Sequence, residues 1–292
     1  MPLFCLVHGS TQDASGWDLL VPELRKGGHE AVCPSLPADE PNAPATMYAE
    51  IIAGPVQDYA EPPIVVGHSA SGLFLPIVPT LCRVTRLVFL AAFVPEVGKS
   101  PMQQLQANPE MFWPDWIGKD PTKDDAAARQ FLFHDCPPAI AEWALNTRKL
   151  TFAHGAMTRI CPLERWPDVP MSYILCRGDR TLRPDFWREW VRRHLGIAPI
   201  ELAGGHCPPV SRPRELAKVL SQLPSWPSGD EQTPQAATRF RCTPYERLPA
   251  GFGSHPLGID FRSPFIALAA PRIMMTATIR RFKSANQIGI LG

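Results

Sequence analysis

Residues 62 to 75 read Pro62-Pro63-Ile64-Val65-Val66-Gly67-His68-Ser69-Ala70-Ser71-Gly72-Leu73-Phe74-Leu75. An apolar, β-branched run enters a cluster of small residues and leaves it as a helical pattern, the strand, sharp turn, helix context of a nucleophile elbow. Residues flanking the serine of such a turn must be small, and Gly67, Ser71 and Gly72 are. The turn lifts the Ser69 hydroxyl above the carboxyl edge of a sheet and aims the amide of Ala70, with the helix N-terminus, at a developing oxyanion. One departure from the G-x-S-x-G pattern stands at Ser71, where the last glycine is displaced to Gly72; serine is small enough to fit.

Outward from this segment, short apolar runs alternate with amphipathic stretches. The strands expected are Leu3 to Val7, Glu30 to Cys33, Pro63 to Val66, Arg86 to Ala91, Met171 to Cys176 and Pro199 to Leu202. Helices are expected over Asp18 to Lys26, Ala70 to Leu81, Asp185 to His194 and Pro213 to Leu223. Six strands with intervening helices predict an α/β chain built on a mostly parallel sheet flanked by helices.

An unactivated serine is a poor nucleophile, so a base and an acid must follow, and a sheet of this kind places them after later strands in the order Ser, Asp, His. Asp179 stands in Arg177-Gly178-Asp179-Arg180, directly after the fifth strand. His206 stands on a Gly204-Gly205 turn after the sixth. Asp168 precedes its strand and Asp185 falls in the first turn of a helix, so neither competes as the acid. His194 closes a basic helix, His134 and His154 lie in the insertion described next, His255 is in the tail and His29 precedes a strand. The loop after the first strand, Val7-His8-Gly9-Ser10, should supply the second oxyanion donor. Gly9 lets the backbone approach the substrate, and the Ser10 amide then pairs with that of Ala70. His8 reads as an anchor of that loop.

Between Val94 and Trp166 the strand rhythm stops and the chain becomes helical and rich in aromatics, which reads as a lid inserted between two strands. Phe112, Trp113, Trp116, Phe131 and Trp143 are the candidate substrate contacts from it. Gly9, His68 and Cys207, which neighbour the oxyanion loop, the serine and the histidine, complete the expected binding set. The catalytic unit is expected to span residues 1–223, with the lid at about 94–166. Residues 224–292 form a Pro-rich tail with eight basic and four acidic residues and no sustained period, expected to be disordered or loosely attached apart from a short apolar piece, Phe265 to Ala270.

The chain has 292 residues, a net charge of +1 and 45% hydrophobic content. No global field draws it to nucleic acid or to a membrane surface, so a small molecule is the expected partner. Its eight cysteines are scattered singly with no CxxC pair, which reads as reduced core residues and not a disulfide frame or metal site. No charged leader precedes an apolar stretch and no apolar run of about 18 residues occurs, so a soluble, cytoplasmic protein is expected.

From Leu3 to about Leu223 the chain resembles the small α/β-hydrolase group of plant methyl esterases, α-hydroxynitrile lyases and bacterial esterase relatives. The resemblance rests on Leu6-Val7-His8-Gly9-Ser10, Gly67-His68-Ser69-Ala70-Ser71-Gly72, Leu87-Val88-Phe89-Leu90-Ala91-Ala92-Phe93-Val94-Pro95, Cys176-Arg177-Gly178-Asp179-Arg180 and Gly204-Gly205-His206. It implies the α/β-hydrolase fold and an acyl-enzyme mechanism on a small carboxylic ester, with no metal and no organic cofactor. Two alternatives share the site: a carbon-carbon lyase and a non-catalytic ligand binder. In the lyases of the group a threonine near the oxyanion loop and a lysine after the histidine handle the cyanohydrin, and those positions hold Gly9 and Cys207 here. Arg177 or Arg180 would have to turn inward to replace the missing cation.

Overall fold

The computed structural model describes residues 2–37, 40, 42–150 and 154–223. The expected tail, including residues 265–270, lies outside the described residues. Six strands, β1 (Leu3–Val7), β2 (Glu30–Val32), β3 (Ile64–His68), β4 (Arg86–Leu90), β5 (Met171–Cys176) and β6 (Ile200–Leu202), form one sheet in the order β2-β1-β3-β4-β5-β6. Every neighbouring pair is parallel. The chain leaves β1 toward β2 on one side and then crosses to β3 on the other. The loops after β1 and β3 therefore diverge, opening a crevice at the carboxyl ends of those strands.

The alternation of side chains along each strand sorts the core into two layers. Leu3, Cys5 and Val7 of β1, Val65 of β3, Leu87 and Phe89 of β4 and Tyr173 and Leu175 of β5 face one side, packed with the helices Ala45–Ala53 and Pro184–Leu195. Phe4, Leu6, Ile64, Val66, Val88, Leu90 and Ile174 face the other, packed with Leu20–Lys26 and Pro213–Ser221. Both faces are apolar because both are covered, as a parallel sheet requires. The seven cysteines among the described residues are all free.

One local expectation needs correcting, and one helix adds to those expected. The stretch after Ser69 is not one α-helix but two 3₁₀ helices, Ser69–Leu73 and Leu75–Thr80. Pro76 and Pro79 lack the N–H groups a continuing α-helix would need. The helix Ala45–Ala53 was not read from the sequence; it packs Tyr48, Ala49, Ile52 and Ala53 onto the sheet.

The insertion between β4 and β5 contains the helices Pro101–Ala107, Pro138–Leu145 and His154–Thr158, with several shorter helical turns between the first two. Its residues Ala128, Leu132, Phe133, Ala141, Ala144 and Leu145 form a third cluster, which also takes in Cys207 and Val210 from beyond β6. The insertion thus shares a core with the segment that follows His206. No helix among the described residues is long and apolar enough to cross a membrane.

Candidate active site

Ser69 sits at the end of β3 with φ +56°, a left-handed backbone value that a residue with a side chain adopts only where the surroundings impose it. Those surroundings are identifiable. The buried Ser71 hydroxyl lies 2.8 Å from the His68 carbonyl and 3.1 Å from the Val7 carbonyl, tying the elbow to the end of β1. The Phe93 amide donates to the Ser69 carbonyl at 3.0 Å, tying it to the end of β4. A Cβ on Gly72 would lie 2.1 Å from the Phe93 carbonyl oxygen, so only glycine permits that approach. The serine at position 71 is accordingly not a defect in the motif: its hydroxyl makes two of the contacts that hold the turn.

Loops after β5 and β6 bring two further groups to this point. The Ser69 Oγ lies 2.9 Å from His206 Nε2, and His206 Nδ1 lies 2.7 Å from Asp179 Oδ2. With Nδ1–H donating to the carboxylate, Nε2 is left to accept the serine proton, an assignment that follows from the hydrogen-bond network. The other oxygen of Asp179 is saturated: Oδ1 accepts the amides of Thr181 and Leu182, at 2.7 and 3.0 Å, and the Thr181 hydroxyl at 2.9 Å. The same hydroxyl lies 2.8 Å from His206 Nδ1. Asp179 and His206 are both buried. The loops are joined by the Gly178 amide, which donates to the Gly204 carbonyl at 2.8 Å.

Two further histidines brace the site as neutral rings. The Leu36 amide donates to His8 Nε2 at 2.9 Å, so Nδ1 carries the proton and donates to the Gly9 carbonyl at 2.9 Å. His68 Nε2–H donates to the His206 carbonyl at 2.8 Å. Burial is the main cause that pushes the His8 pKa down and takes that of His68 to about 3, with the neighbouring His206 adding to the effect on His68.

Above the serine lies a mostly apolar cavity. Ser69, Ala70, Ser10 and His206 line it together with Leu73 and Phe93 from the sheet side and Leu105, Phe112, Trp116, Ile117, Leu132 and Met157 from the insertion; Thr11, Gly118, Thr181 and Leu182 complete the lining. Ser10 and Ala70, the expected oxyanion residues, thus face the same cavity as the serine. The insertion is hydrogen-bonded to each of the loops that form this floor. Lys149 N donates to Thr11 O, Trp113 N donates to Thr181 O, and Asp135 Oδ2 accepts the Gly205 amide at 2.8 Å.

Phe112 and Trp116, two of the expected contacts, line the cavity. The other expected contacts need correction. Trp113 is 40% exposed, donates its indole N–H to the Asp179 carbonyl at 2.8 Å and lies against the Arg183 guanidinium. Phe131 is buried behind Trp116, edge to face at 5.5 Å between ring centroids. Trp143 packs against the third apolar cluster, in which Cys207 is buried. His68 lies under the His206 loop, as above, and Gly9 contributes close approach: a Cβ there would lie 2.9 Å from Ser69 Cβ. Asp135 leaves no local signal because it acts on Gly205, 70 residues away, whereas Thr181 folds back on Asp179 two residues earlier, so the Asp179-Arg180-Thr181 turn is the sequence signal that could have marked it.

A model of the alpha/beta hydrolase family matches residues 6–219, and the chain belongs to that family. Among its relatives, the alpha/beta hydrolase nvfD of Aspergillus novofumigatus is 25% identical over 242 residues, covering 75% of this chain and 95% of that protein. Methylesterase 7 of Arabidopsis thaliana is 24% identical over 253 residues, 75% of this chain and 95% of that protein. The crystal structure of polyneuridine aldehyde esterase superposes with a TM-score of 0.65 at 22% identity, over 75% of this chain and 98% of that one, a likeness of fold. The chain is therefore an α/β hydrolase with esterase-named relatives.

Proposed function

We propose that the protein is a serine carboxylesterase that hydrolyses small, largely apolar, neutral esters through an acyl-enzyme. The observation that carries this reading is the continuous path from Ser69 Oγ through His206 to Asp179, at 2.9 and 2.7 Å, on the floor of a cavity whose lining, among the described residues, holds no lysine, arginine, aspartate or glutamate.

In this reading His206 Nε2 takes the proton of Ser69 as Oγ attacks the ester carbonyl carbon. Asp179 stabilises the imidazolium that forms. The carbonyl oxygen, now negative, accepts from the amides of Ser10 and Ala70. Collapse of the adduct breaks the bond to the alcohol, which leaves with the proton held on His206. A water molecule then gives a proton to Nε2 as it attacks the acyl carbon, and collapse of that adduct breaks the bond to Ser69 Oγ, which takes the proton back from Nε2 as the acid leaves.

The lyase alternative asks for a cation beside the departing cyanide. Arg177 and Arg180 are exposed, and Arg180 donates to the Gln130 carbonyl at 3.3 Å. Burial and the nearby Cys136 and carboxylates drive the Cys207 thiol pKa well up, so it stays neutral. These features favour the esterase. The test is hydrolysis of p-nitrophenyl esters of graded acyl length by the wild type and by Ser69→Ala, beside cyanide release from mandelonitrile. Ser69-dependent hydrolysis without cyanide supports the proposal, and Ser69-dependent cyanide release overturns it.

A further inference from the structure

Among the described residues, the hydroxyls of two consecutive cavity residues, Ser10 and Thr11, make no hydrogen bond. Thr11 is only 7% exposed and lines the cavity beside Ser69. Its hydroxyl is not among the polar atoms sealed without a partner within the packing, and the residue it belongs to is part of the cavity wall. Its backbone carbonyl is already occupied by the Lys149 amide, which fixes the residue in place. The remaining polar side chains of the lining, Ser69, Thr181 and His206, are joined to one another or to Asp179. A hydroxyl held in a largely apolar wall without a partner loses a hydrogen bond to water whenever hydrocarbon fills the space before it, and regains one only if the occupant offers an oxygen.

Position narrows where that oxygen must lie. Thr11 directly follows Ser10, and their Cα atoms are about 3.8 Å apart. If the Ser10 amide holds the ester carbonyl oxygen, the hydroxyl of the next residue in the same wall is available to a substrate oxygen close to the carbonyl carbon. We propose that Thr11, with Ser10 beside it, selects esters that carry a neutral hydroxyl or carbonyl oxygen next to the scissile carbonyl, with an apolar or aromatic remainder against Phe93, Phe112 and Trp116. This inference rests on the esterase reading and names its substrate class.

The test compares kcat/KM for methyl 2-hydroxy-3-phenylpropanoate and methyl 3-phenylpropanoate, which differ by one oxygen, in wild type, Thr11→Val and Thr11→Ser. The ratio of the two substrates within each protein cancels any general loss of activity, and comparing ratios between proteins cancels the intrinsic reactivity of the esters. Valine, of the same shape without the hydroxyl, should lower the wild-type ratio by about ten-fold or more, and serine should keep it. Should Thr11→Val fail to fold, Thr11→Ala makes the same comparison. A ratio unchanged on removing the hydroxyl overturns the inference, as does failure to hydrolyse the hydroxy ester by an enzyme that turns over p-nitrophenyl acetate. Absence of any Ser69-dependent turnover of p-nitrophenyl acetate overturns the esterase reading itself and the inference with it.

Discussion

The carboxylate of Asp135, from the insertion, accepts the backbone amide of Gly205 at 2.8 Å and so fixes the residue immediately before His206. Arg212 Nε stands 3.6 Å from the same carboxylate oxygen, and the His134 ring closes over the glycine. Asp135→Ala should free the turn and lower kcat about ten-fold with little change in KM, because the histidine loses its alignment and the cavity does not change. Asp135→Asn keeps an oxygen able to accept and should restore most of the rate. Equal kcat in wild type and Asp135→Ala would show that the contact has no bearing on turnover.

Replacing Ser69 or His206 by alanine should reduce ester turnover by about three orders of magnitude or more while the fold persists. Asp179→Asn should cost less, and its cause can be read from the contacts. Three donors already fill Oδ1, so the asparagine oxygen takes that place and its NH₂ faces His206 Nδ1. Two donors cannot pair, and the ring is driven to the tautomer that cannot accept the serine proton. Kinetics with thermal melting on the three variants check this; near-normal activity in Ser69→Ala would remove the basis of the proposed mechanism.

Two glycines of the elbow should respond differently to alanine. A Cβ at Gly67 meets Leu75 Cδ1 at 2.1 Å, the far end of a side chain that can turn away, whereas a Cβ at Gly72 meets the Phe93 carbonyl oxygen at 2.1 Å, which is backbone. Gly72→Ala is expected to destabilise by about 2 to 4 kcal/mol and Gly67→Ala by about 1 to 2. Urea unfolding of both variants measures the order, and a Gly67→Ala variant less stable than Gly72→Ala would contradict it.

Stability should fall on acidification below about pH 6.5. In the unfolded chain the histidines protonate near that value, whereas the native state holds His68 neutral down to about 3 and holds His8 below its ordinary range, chiefly through burial. The unfolded state therefore binds more protons below pH 6.5, and stability decreases as pH falls until native His68 itself titrates. Each such histidine contributes a slope of at most about 1.4 kcal/mol per pH unit. Urea midpoints at pH 7, 6 and 5 should decline in the wild type and decline less steeply in His68→Gln. A midpoint independent of pH over that range would count against the neutral, buried histidines.

Cutting the chain after Leu223 should preserve both fold and ester hydrolysis. The family match ends at residue 219, and three quarters of the chain spans 95% or more of the relatives named above. The strands, the insertion and the three loops that meet at Ser69 all precede that point. Loss of soluble, active protein on truncation would show that the remainder packs on the catalytic unit.

The sequence by itself indicated the six strands along the chain and the positions of Asp179 and His206 directly after the fifth and sixth of them. Apolar strands buried on both faces, such as Ile64-Val65-Val66, leave a signal in consecutive residues, and turn residues at their ends mark where a side chain reaches the carboxyl edge. Chain order then singled out Asp179 and His206, because topology confines such groups to loops at one edge. Tertiary structure alone decided which aromatics face the cavity. Phe112 and Trp116 reach it, while Phe131 is buried and the partly buried Trp143 packs against the insertion's own cluster, and all four are equally apolar in sequence. It also decided the contacts of Asp135 with Gly205 and of Thr181 with His206, which join segments 70 and 25 residues apart. Periodicity records which side of an element meets other protein, but a wall of packed side chains and a wall of cavity leave the same apolar pattern, and only the placement of neighbouring elements separates them.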